Sequence, residues 1–269
     1  MKEGIMKRIG VIFCLLGLTA TACTPMPAVE PDQVTLQIKW VHQALFAGFY
    51  MAEELGYYQQ ENIDITFLEG GPDIPITQTV LDGQAMFAIA APSEIAAFVS
   101  EGEPIKTIAT ILQISPVVYV SMADSGITQP GDFIGKKVAV LGQALYEMPL
   151  RTMFDFLDLD IDRVDLKEHG YDINQLASGE IDVHGFYSTG GLLRVLNEGY
   201  DVNIIYPQDY GQHYLEDSII TTQALIEDGP DLVLRFLRAS LKGWKYAIEN
   251  EVEAVDETML YALESDRAL

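Results

Sequence analysis

The chain has 269 residues, of which 49% are hydrophobic, and its formal net charge is −24 at pH 7. Such an acidic chain repels phosphate backbones, so nucleic acid is a poor partner. The length suffices for one large domain or for two modest domains, each with its own core.

The first residues have the features of an export signal. Lys2, Lys7 and Arg8 form a basic start, and residues 9–18 are an apolar run too short to cross a membrane. The stretch 20–23, Ala-Thr-Ala-Cys, resembles a bacterial lipobox, which predicts a signal peptide over 1–22 and a lipid anchor on Cys23. Simple cleavage without lipidation is the alternative, and the Pro-rich stretch 23–33 is expected to be a tether.

The chain has two cysteines, and Cys14 lies inside the predicted signal. The mature protein would therefore keep Cys23 and no second cysteine. A disulfide within the chain, a cysteine metal cluster and a cysteine nucleophile are all excluded on this interpretation, and no metal or cofactor is expected.

Apolar strand patterns alternate with helix patterns along the rest of the chain, which predicts an α/β fold of wound, mostly parallel sheets. Predicted strands cover 34–40, 63–68, 85–91 and the stretch IKTIATIL. Predicted helices cover 44–55, 74–82 and 94–100, with Ser93 as the N-cap of the last.

A pattern in the first half recurs in the second, from Leu81 and again from Leu176. Both copies contain a helix end, a glycine, a strand, a serine, a helix, Glu-Gly and a strand. The pairs are Gly83 with Gly179, Ser93 with Ser188, and Gly102 with Gly199. This predicts two α/β lobes of one plan.

Two extended stretches, 111–122 and 206–222, are positioned to cross between these lobes. The predicted division is 34–114 with 212–269 for the first lobe and 115–211 for the second. Two lobes joined by two crossings make a hinge with a ligand-binding cleft.

Four stretches carry a resemblance to a known family: 39–73, DSGITQPGDFIGKKVAV, ASGEIDV and LVLRFLRASLKGWKYAIENEVEAV. They resemble the substrate-binding proteins of ABC importers of the aliphatic-sulfonate, nitrate and thiamine-pyrimidine group. The form W-x-H-Q-x-x-F-A-G-F-Y is most similar to members that take thiamine pyrimidine precursors or riboflavin. The resemblance implies a two-lobed periplasmic-binding-protein fold, type II-like, that closes on its ligand.

The chain departs from the family pattern at two points. Relatives carry Gly-x-x-Asp before the buried strand; Gly179 to Asp182 keeps it, whereas Met86 stands in the matching place after Gly83. Relatives also continue for several more elements, so an incomplete first lobe is an expectation.

In wound α/β sheets, ligands bind beyond the carboxyl ends of the strands. Trp40, His42, Gln43 and Phe46 follow the first strand, where aromatic rings can stack on a flat ligand and His or Gln can bond to its nitrogen atoms. Packing of Phe46 onto the sheet is the structural alternative. Ser93 occupies the next corner, where capping alone would also explain a serine.

Four candidate residues lie in the second lobe. Tyr187 and Ser188 form the corner equivalent to Ser93, and Tyr146 and Glu147 begin a helix after the strand KVAVL. Glu147 could accept hydrogen bonds from an amino or ring N–H group, although the helix dipole favours a carboxylate there in any case. Lys39 is the one basic residue among the predicted corners, which favours a neutral or amino-bearing heterocycle over an anion.

The predicted function is a solute-binding lipoprotein, not an enzyme, that captures a thiamine pyrimidine precursor or riboflavin. Its expected partners are an ABC permease and ATPase, with the monomeric protein anchored at the outer face of the cytoplasmic membrane. Binding of sulfonate, taurine or nitrate is the alternative. A thiamine-pyrimidine synthase is a remote one, because those enzymes carry a Cys-rich stretch where YPQDYGQHYLEDS has none, and an exported sensory domain also ranks low.

Overall fold

The computed structural model describes residues 30–140, 144–168, 172–213 and 215–268. The predicted signal peptide and Cys23 lie outside the described residues. Among those described, ten strands form two five-stranded sheets, which define the first and the second lobe. The predicted α/β class is confirmed.

The first sheet has the order β2-β1-β3-β10-β4. Its strands are β1 (Asp32–Gln37), β2 (Ile63–Leu68), β3 (Phe87–Ala90), β4 (Ile105–Leu112) and β10 (Glu216–Thr222). The predicted strands over 63–68 and IKTIATIL match β2 and β4. The strand predicted at 34–40 begins earlier and ends at Gln37, so Trp40 lies in the following turn.

The second sheet has the order β7-β6-β8-β5-β9. Its strands are β5 (Val117–Met122), β6 (Lys137–Ala139), β7 (Asp165–Lys167), β8 (Val183–Tyr187) and β9 (Val202–Ile205). In each sheet four strands run in the same direction, and β10 or β5 lies antiparallel between two of them. The sheets are therefore mixed, with four of five strands in one direction as predicted, and the antiparallel strand in each arrives from the other lobe.

Helices cover both sheets. The first lobe has α1 (Ala47–Glu54), α2 (Tyr57–Gln60), α3 (Ile76–Leu81), α4 (Pro92–Ser100), α8 (Gln223–Asp228), α9 (Pro230–Glu249) and α10 (Glu251–Ala268). The second lobe has α5 (Ala144–Phe156), α6 (Ile173–Ala177) and α7 (Gly191–Asn197). No helix among the described residues is long and apolar enough to cross a membrane.

The internal repeat is visible in the backbone. Gly83 and Gly179 follow α3 and α6 with φ of 71° and 73°, and Gly102 and Gly199 follow α4 and α7 with φ of 89° and 85°. Left-handed glycines of this kind end helices without a Cβ penalty. Equivalent helices in the two lobes thus end at a glycine in the left-handed conformation.

The predicted N-cap role of Ser93 is wrong, and Ser188, its counterpart in the repeat, is not an N-cap either. Helix α4 begins at Pro92 with Ala91 as its N-cap, since proline supplies a helical φ and needs no N–H partner at that position. Helix α7 has Gly190 as its N-cap, and Ser188 lies in the turn before it. Both serines nevertheless remain at the strand–helix corner of their lobe.

Helices α1 and α9 approach each other closely through two glycines. A Cβ at Gly243 would lie 2.2 Å from the Gly48 carbonyl oxygen and 2.6 Å from the Ala52 Cβ. A Cβ at Gly48 would lie 2.2 Å from the Trp244 ring. Because glycine has a hydrogen atom where other residues have a Cβ, Gly48 and Gly243 allow α1 and α9 to pack at this short separation.

We expect Gly243→Ala to destabilise the protein by about 1–3 kcal/mol, because backbone atoms of α1 cannot move aside without shifting the helix. This cost exceeds the gain of about 1 kcal/mol that alanine brings to a helix interior. Urea unfolding measures the difference. The matched control is Gly131→Ala, where a Cβ meets nothing within 4 Å, and equal stability of both variants would contradict the packing argument.

The two crossings between the lobes are joined by a buried hydrogen bond. Ser115, on the outgoing crossing, donates its Oγ hydrogen to Glu216 Oε2 at 3.3 Å, at the start of β10. Glu216 is 1% exposed, and its Oε1 has no partner among the described residues. Burial raises the pKa of Glu216 to about 7, Lys39 opposes this shift, and Asp217 reinforces it.

A buried carboxyl with a raised pKa makes folding depend on pH. The folded state keeps the Glu216 proton up to about pH 7, whereas the unfolded chain loses it near pH 4.5. The free energy of unfolding therefore falls as pH rises through this window, by about 3 kcal/mol from this group. We expect Glu216→Gln to remove that part of the decline, as measured by urea unfolding at pH 5 and pH 8.

Glu101→Gln, at an exposed position, is the matched control for this prediction. The stability difference between Glu216→Gln and the parent should shift in favour of the glutamine at pH 8. A difference that stays constant between the two pH values would show that Glu216 does not hold its proton in the folded state.

Candidate functional site

A cavity of about 670 Å³ opens between the two sheets. This volume is in the range of pockets that enclose a small organic ligand. The first lobe contributes Lys39, Trp40, Gln43, Leu45, Gly71, Pro72, Ile74, Ile76, Ala91, Ser93, Glu94 and Ala97 to its lining. The second lobe contributes Tyr146, Ile173, Phe186, Tyr187, Thr189, Gly190, Gly191, Arg194 and Val195.

The sheet topology explains why these residues meet. The lining follows the carboxyl ends of β1, β3 and β8 and includes the first turns of α4, α5 and α7. Chain segments converge at these ends because parallel strands deliver their following loops to one edge of a sheet. The two lobes present these edges to each other.

Five of the residues predicted from the sequence line the cavity. Trp40, Gln43 and Ser93 do so from the first lobe, and Tyr146 and Tyr187 from the second. The rings of Tyr146 and Tyr187 lie 6.1 Å apart at 68°, edge to face. The cavity therefore has an aromatic wall in both lobes.

Two predicted residues from the first lobe lie off the lining. Phe46 is 0% exposed and belongs to the core between α1 and the sheet. His42 places Nδ1 2.7 Å from the Tyr50 hydroxyl, with its ring beside Tyr261. Burial lowers the pKa of His42, while Glu69 opposes that shift, so the neutral ring is favoured in this aromatic group.

Two predicted residues from the second lobe also lie off the lining. Glu147 forms an ion pair with Arg151, one turn along α5. Ser188 donates its backbone N–H to the Pro116 carbonyl at 2.8 Å, which extends the pairing of β8 with β5. Ligand contact by Phe46, His42, Glu147 and Ser188 stays a prediction.

Glycines leave space for the aromatic side chains in the second-lobe wall of the cavity. A Cβ at Gly185 would lie 2.9 Å from the Tyr146 ring, and one at Gly191 would lie 2.4 Å from the Phe186 ring. Larger residues at these positions would push the rings into the cavity. The Gly190-Gly191 pair also brings the backbone close to Gln43, whose Oε1 would be 4.0 Å from a Cβ at Gly190.

Several polar groups face the cavity without an internal partner. The side chains of Gln43, Ser93 and Thr189 make no hydrogen bond within the part of the chain that the structure describes. Gln43 offers both a donor and an acceptor, and the two hydroxyls can act as either. The cavity can therefore satisfy a few polar atoms on a ligand that is otherwise apolar.

The Lys39 side chain reaches from the first lobe to the second. Its Nζ donates to the Tyr187 hydroxyl at 2.7 Å and forms an ion pair with Asp217, which is 1% exposed. Burial raises the pKa of Asp217, and the opposing effect of Lys39 is smaller. The charge of Lys39, at the cavity lining, is thus paired with a carboxylate of strand β10.

Sequence reasoning missed Glu94 and Arg194, which both line the cavity. Arg194 corrects the expectation that Lys39 is the one basic residue near the site, although its Nε lies 2.9 Å from Glu198 Oε1. The position of Glu94 directly after Ser93 in the sequence could have indicated that it lies at the cavity. The position of Arg194, one helical turn after the Gly-Gly pair, could have indicated the same for Arg194.

No group of three or more possible metal ligands occurs among the described residues.

Comparison with known proteins gives two relatives that match most of the chain. A formylaminopyrimidine-binding protein of Halalkalibacterium halodurans is 27% identical over 260 residues, which are 93% of this chain and 78% of the relative. The riboflavin-binding protein RibY of Chloroflexus aurantiacus is 25% identical over 259 residues, 91% of this chain and 72% of the relative.

A third relative matches a smaller part. The 4-amino-5-hydroxymethyl-2-methylpyrimidine phosphate synthase of Legionella pneumophila is 29% identical over 112 residues, 42% of this chain and 35% of the relative. The long matches are thus to proteins named for binding, and this shorter match is to an enzyme.

The fold is also that of a solved protein. The periplasmic aliphatic sulphonate binding protein SsuA of Escherichia coli superposes with a TM-score of 0.71 at 12% identity, over 86% of this chain and 79% of SsuA. The two-lobed periplasmic-binding-protein fold is thereby confirmed. The NMT1/THI5-like family model matches residues 43–254, which is more than half of the chain, and the protein belongs to this family.

Proposed function

We propose that the protein is the substrate-binding component of an ABC importer and captures a small heteroaromatic vitamin or vitamin precursor. The observation that carries the proposal is the cavity of about 670 Å³ between two lobes, with aromatic side chains in both walls. The two relatives that match most of the chain are named for binding formylaminopyrimidine and riboflavin. A permease would receive the ligand when the lobes open.

The chemistry of the cavity favours a flat, largely uncharged ring. Trp40 and Tyr187 offer rings for stacking, and Gln43 and Ser93 offer hydrogen bonds to ring atoms or substituents. Both cations on the lining are paired with carboxylates, Lys39 with Asp217 and Arg194 with Glu198. A sulfonate or nitrate would have to compete with these carboxylates for the two cations, so anion binding is the second candidate.

A binding role without chemistry is preferred to a synthase activity. The match to the Legionella synthase covers 42% of this chain, whereas the binding proteins match over 91% and 93%. The return crossing, 206–218, has no cysteine, unlike the Cys-rich stretch that the resemblance implies for the synthases. We therefore propose no catalytic residue.

We further propose that the protein acts outside the cytoplasm, as a monomer held to the membrane by a lipid on Cys23. The signal-like sequence 1–22 and the lipobox-like Ala-Thr-Ala-Cys support this location. The lobes would divide at 114/115 and 211/212, near the crossings that connect the two sheets. Movement about these crossings would open and close the cavity.

A thermal-shift panel tests the ligand class. The panel contains formylaminopyrimidine, 4-amino-5-hydroxymethyl-2-methylpyrimidine, riboflavin, taurine, an alkanesulfonate and nitrate. A bound ligand at 100 times its Kd stabilises the folded state by about 2.7 kcal/mol, which corresponds to a Tm increase of about 5–10 °C for a chain of this size. We expect that shift with a heteroaromatic compound and none with the anions, whereas a shift with an anion instead would overturn the proposal.

We expect Trp40→Ala to weaken binding of that heteroaromatic ligand at least about tenfold, because the substitution removes stacking and buried apolar contact from the first-lobe wall. Isothermal titration measures the Kd. Leu234→Ala, on the exposed face of α9 and 60% exposed, is the matched truncation away from the cavity and should keep the parent affinity. Equal affinities of Trp40→Ala and the parent would place the ligand elsewhere.

A further inference from the structure

A carboxylate faces the cavity beside the aromatic wall of the first lobe. Glu94 lies in the first turn of α4, and its side chain is on the lining together with Ser93. A helix N-terminus favours a carboxylate in any case. The helix N-terminus alone would therefore account for a carboxylate at this position.

A neighbouring helix orients this carboxylate. Oε1 of Glu94 accepts a hydrogen bond from the backbone N–H of Thr77 at 2.8 Å. Thr77 is 0% exposed and lies in the first turn of α3, where backbone N–H groups lack partners within the helix. One oxygen is thus held in place, and the carboxylate plane is restrained at the cavity wall.

The second oxygen, Oε2, has no such partner. Neither a hydrogen bond nor an ion pair reaches it from the described part of the chain. The two cations of the lining are directed elsewhere, Lys39 to Asp217 and Arg194 to Glu198. The cavity therefore presents one oriented acceptor that forms no ion pair with any described side chain.

We infer that Glu94 is a specificity-determining residue, whose free oxygen accepts a hydrogen bond from an N–H group on the ligand. The inference rests on the proposed function and narrows it. A carboxylate accepts hydrogen bonds and donates none, so it selects rings that carry an amino or ring N–H and repels anionic groups. Stacking on Trp40 and Tyr187 holds any flat ring, and Glu94 decides which substituent that ring must carry.

The test compares ligands that differ in this one donor. The first pair is 4-amino-5-hydroxymethyl-2-methylpyrimidine and the same pyrimidine without its amino group. The second pair is riboflavin and its N3-methyl derivative. Isothermal titration of the parent identifies the pair whose N–H-bearing member binds, and that pair is then titrated against Glu94→Gln.

The glutamine keeps an oxygen for the Thr77 N–H and nearly the same shape, and it removes the charge. We expect Glu94→Gln to weaken binding of the N–H-bearing ligand by about 10- to 100-fold, the range for a hydrogen bond to a charged group. Binding of the partner ligand without the N–H should change by less than about threefold. A purely structural role of Glu94 would weaken both ligands equally.

Equal loss for both ligands, or no loss for either, would overturn the assignment of Glu94 and leave the proposed function standing. Failure of the parent to bind any of the heteroaromatic probes would overturn the proposed function, and the role of Glu94 with it. If Glu94→Gln does not fold, Glu94→Asp takes its place, because it withdraws the carboxylate by one methylene and carries the same expectation.

Discussion

The exchange of one strand between the two lobes is the constraint on which the rest of the structure depends. Strand β5 follows β4 but pairs with β8 and β9 in the second sheet, and β10 follows β9 but pairs with β3 and β4 in the first. Each crossing ends inside a sheet, so the lobes cannot separate without breaking a strand ladder. The exchange thereby keeps the two sheets together, with the carboxyl ends of β1, β3 and β8 around one cavity.

The crossings also carry the least hydrated charges. Glu216 and Asp217 are both 1% exposed at the start of β10, where Ser115 and Lys39 contact them. Two adjacent buried carboxylates with one cation are costly, and a raised pKa is the usual response. Lys39 also donates a hydrogen bond to the Tyr187 hydroxyl in the second lobe. One residue thus takes part both in the buried ion pair of the crossing and in the polar contacts of the cavity.

The cavity combines apolar walls with polar groups that differ in how many of their hydrogen bonds are already made within the protein. Lys39 and Arg194 are paired, and the side chains of Gln43 and Ser93 make no hydrogen bond among the described residues. Glu94 has one oxygen held by Thr77 and one without a partner in the described part of the chain. Under the proposed function, such a site would bind a flat ring through contact area and distinguish rings through a few hydrogen bonds. This separation of affinity from specificity is compatible with a family that contains binders of different heterocycles.

Local pattern was sufficient to predict much of the fold from the sequence. The strands at 63–68 and IKTIATIL, the paired left-handed glycines and the two crossings depend on alternation and turn chemistry within a few residues. The places of Trp40, Gln43, Ser93, Tyr146 and Tyr187 follow from their position after strands. Only the tertiary structure decided that Phe46 packs in the core, that His42 joins Tyr50 and that Glu94 and Arg194 reach the cavity. The direction of a side chain at a corner depends on what packs against it, such as Tyr261 of α10 for His42 and Thr77 of α3 for Glu94. These contacts form only when the helices assemble around the sheet, so local pattern does not predict them.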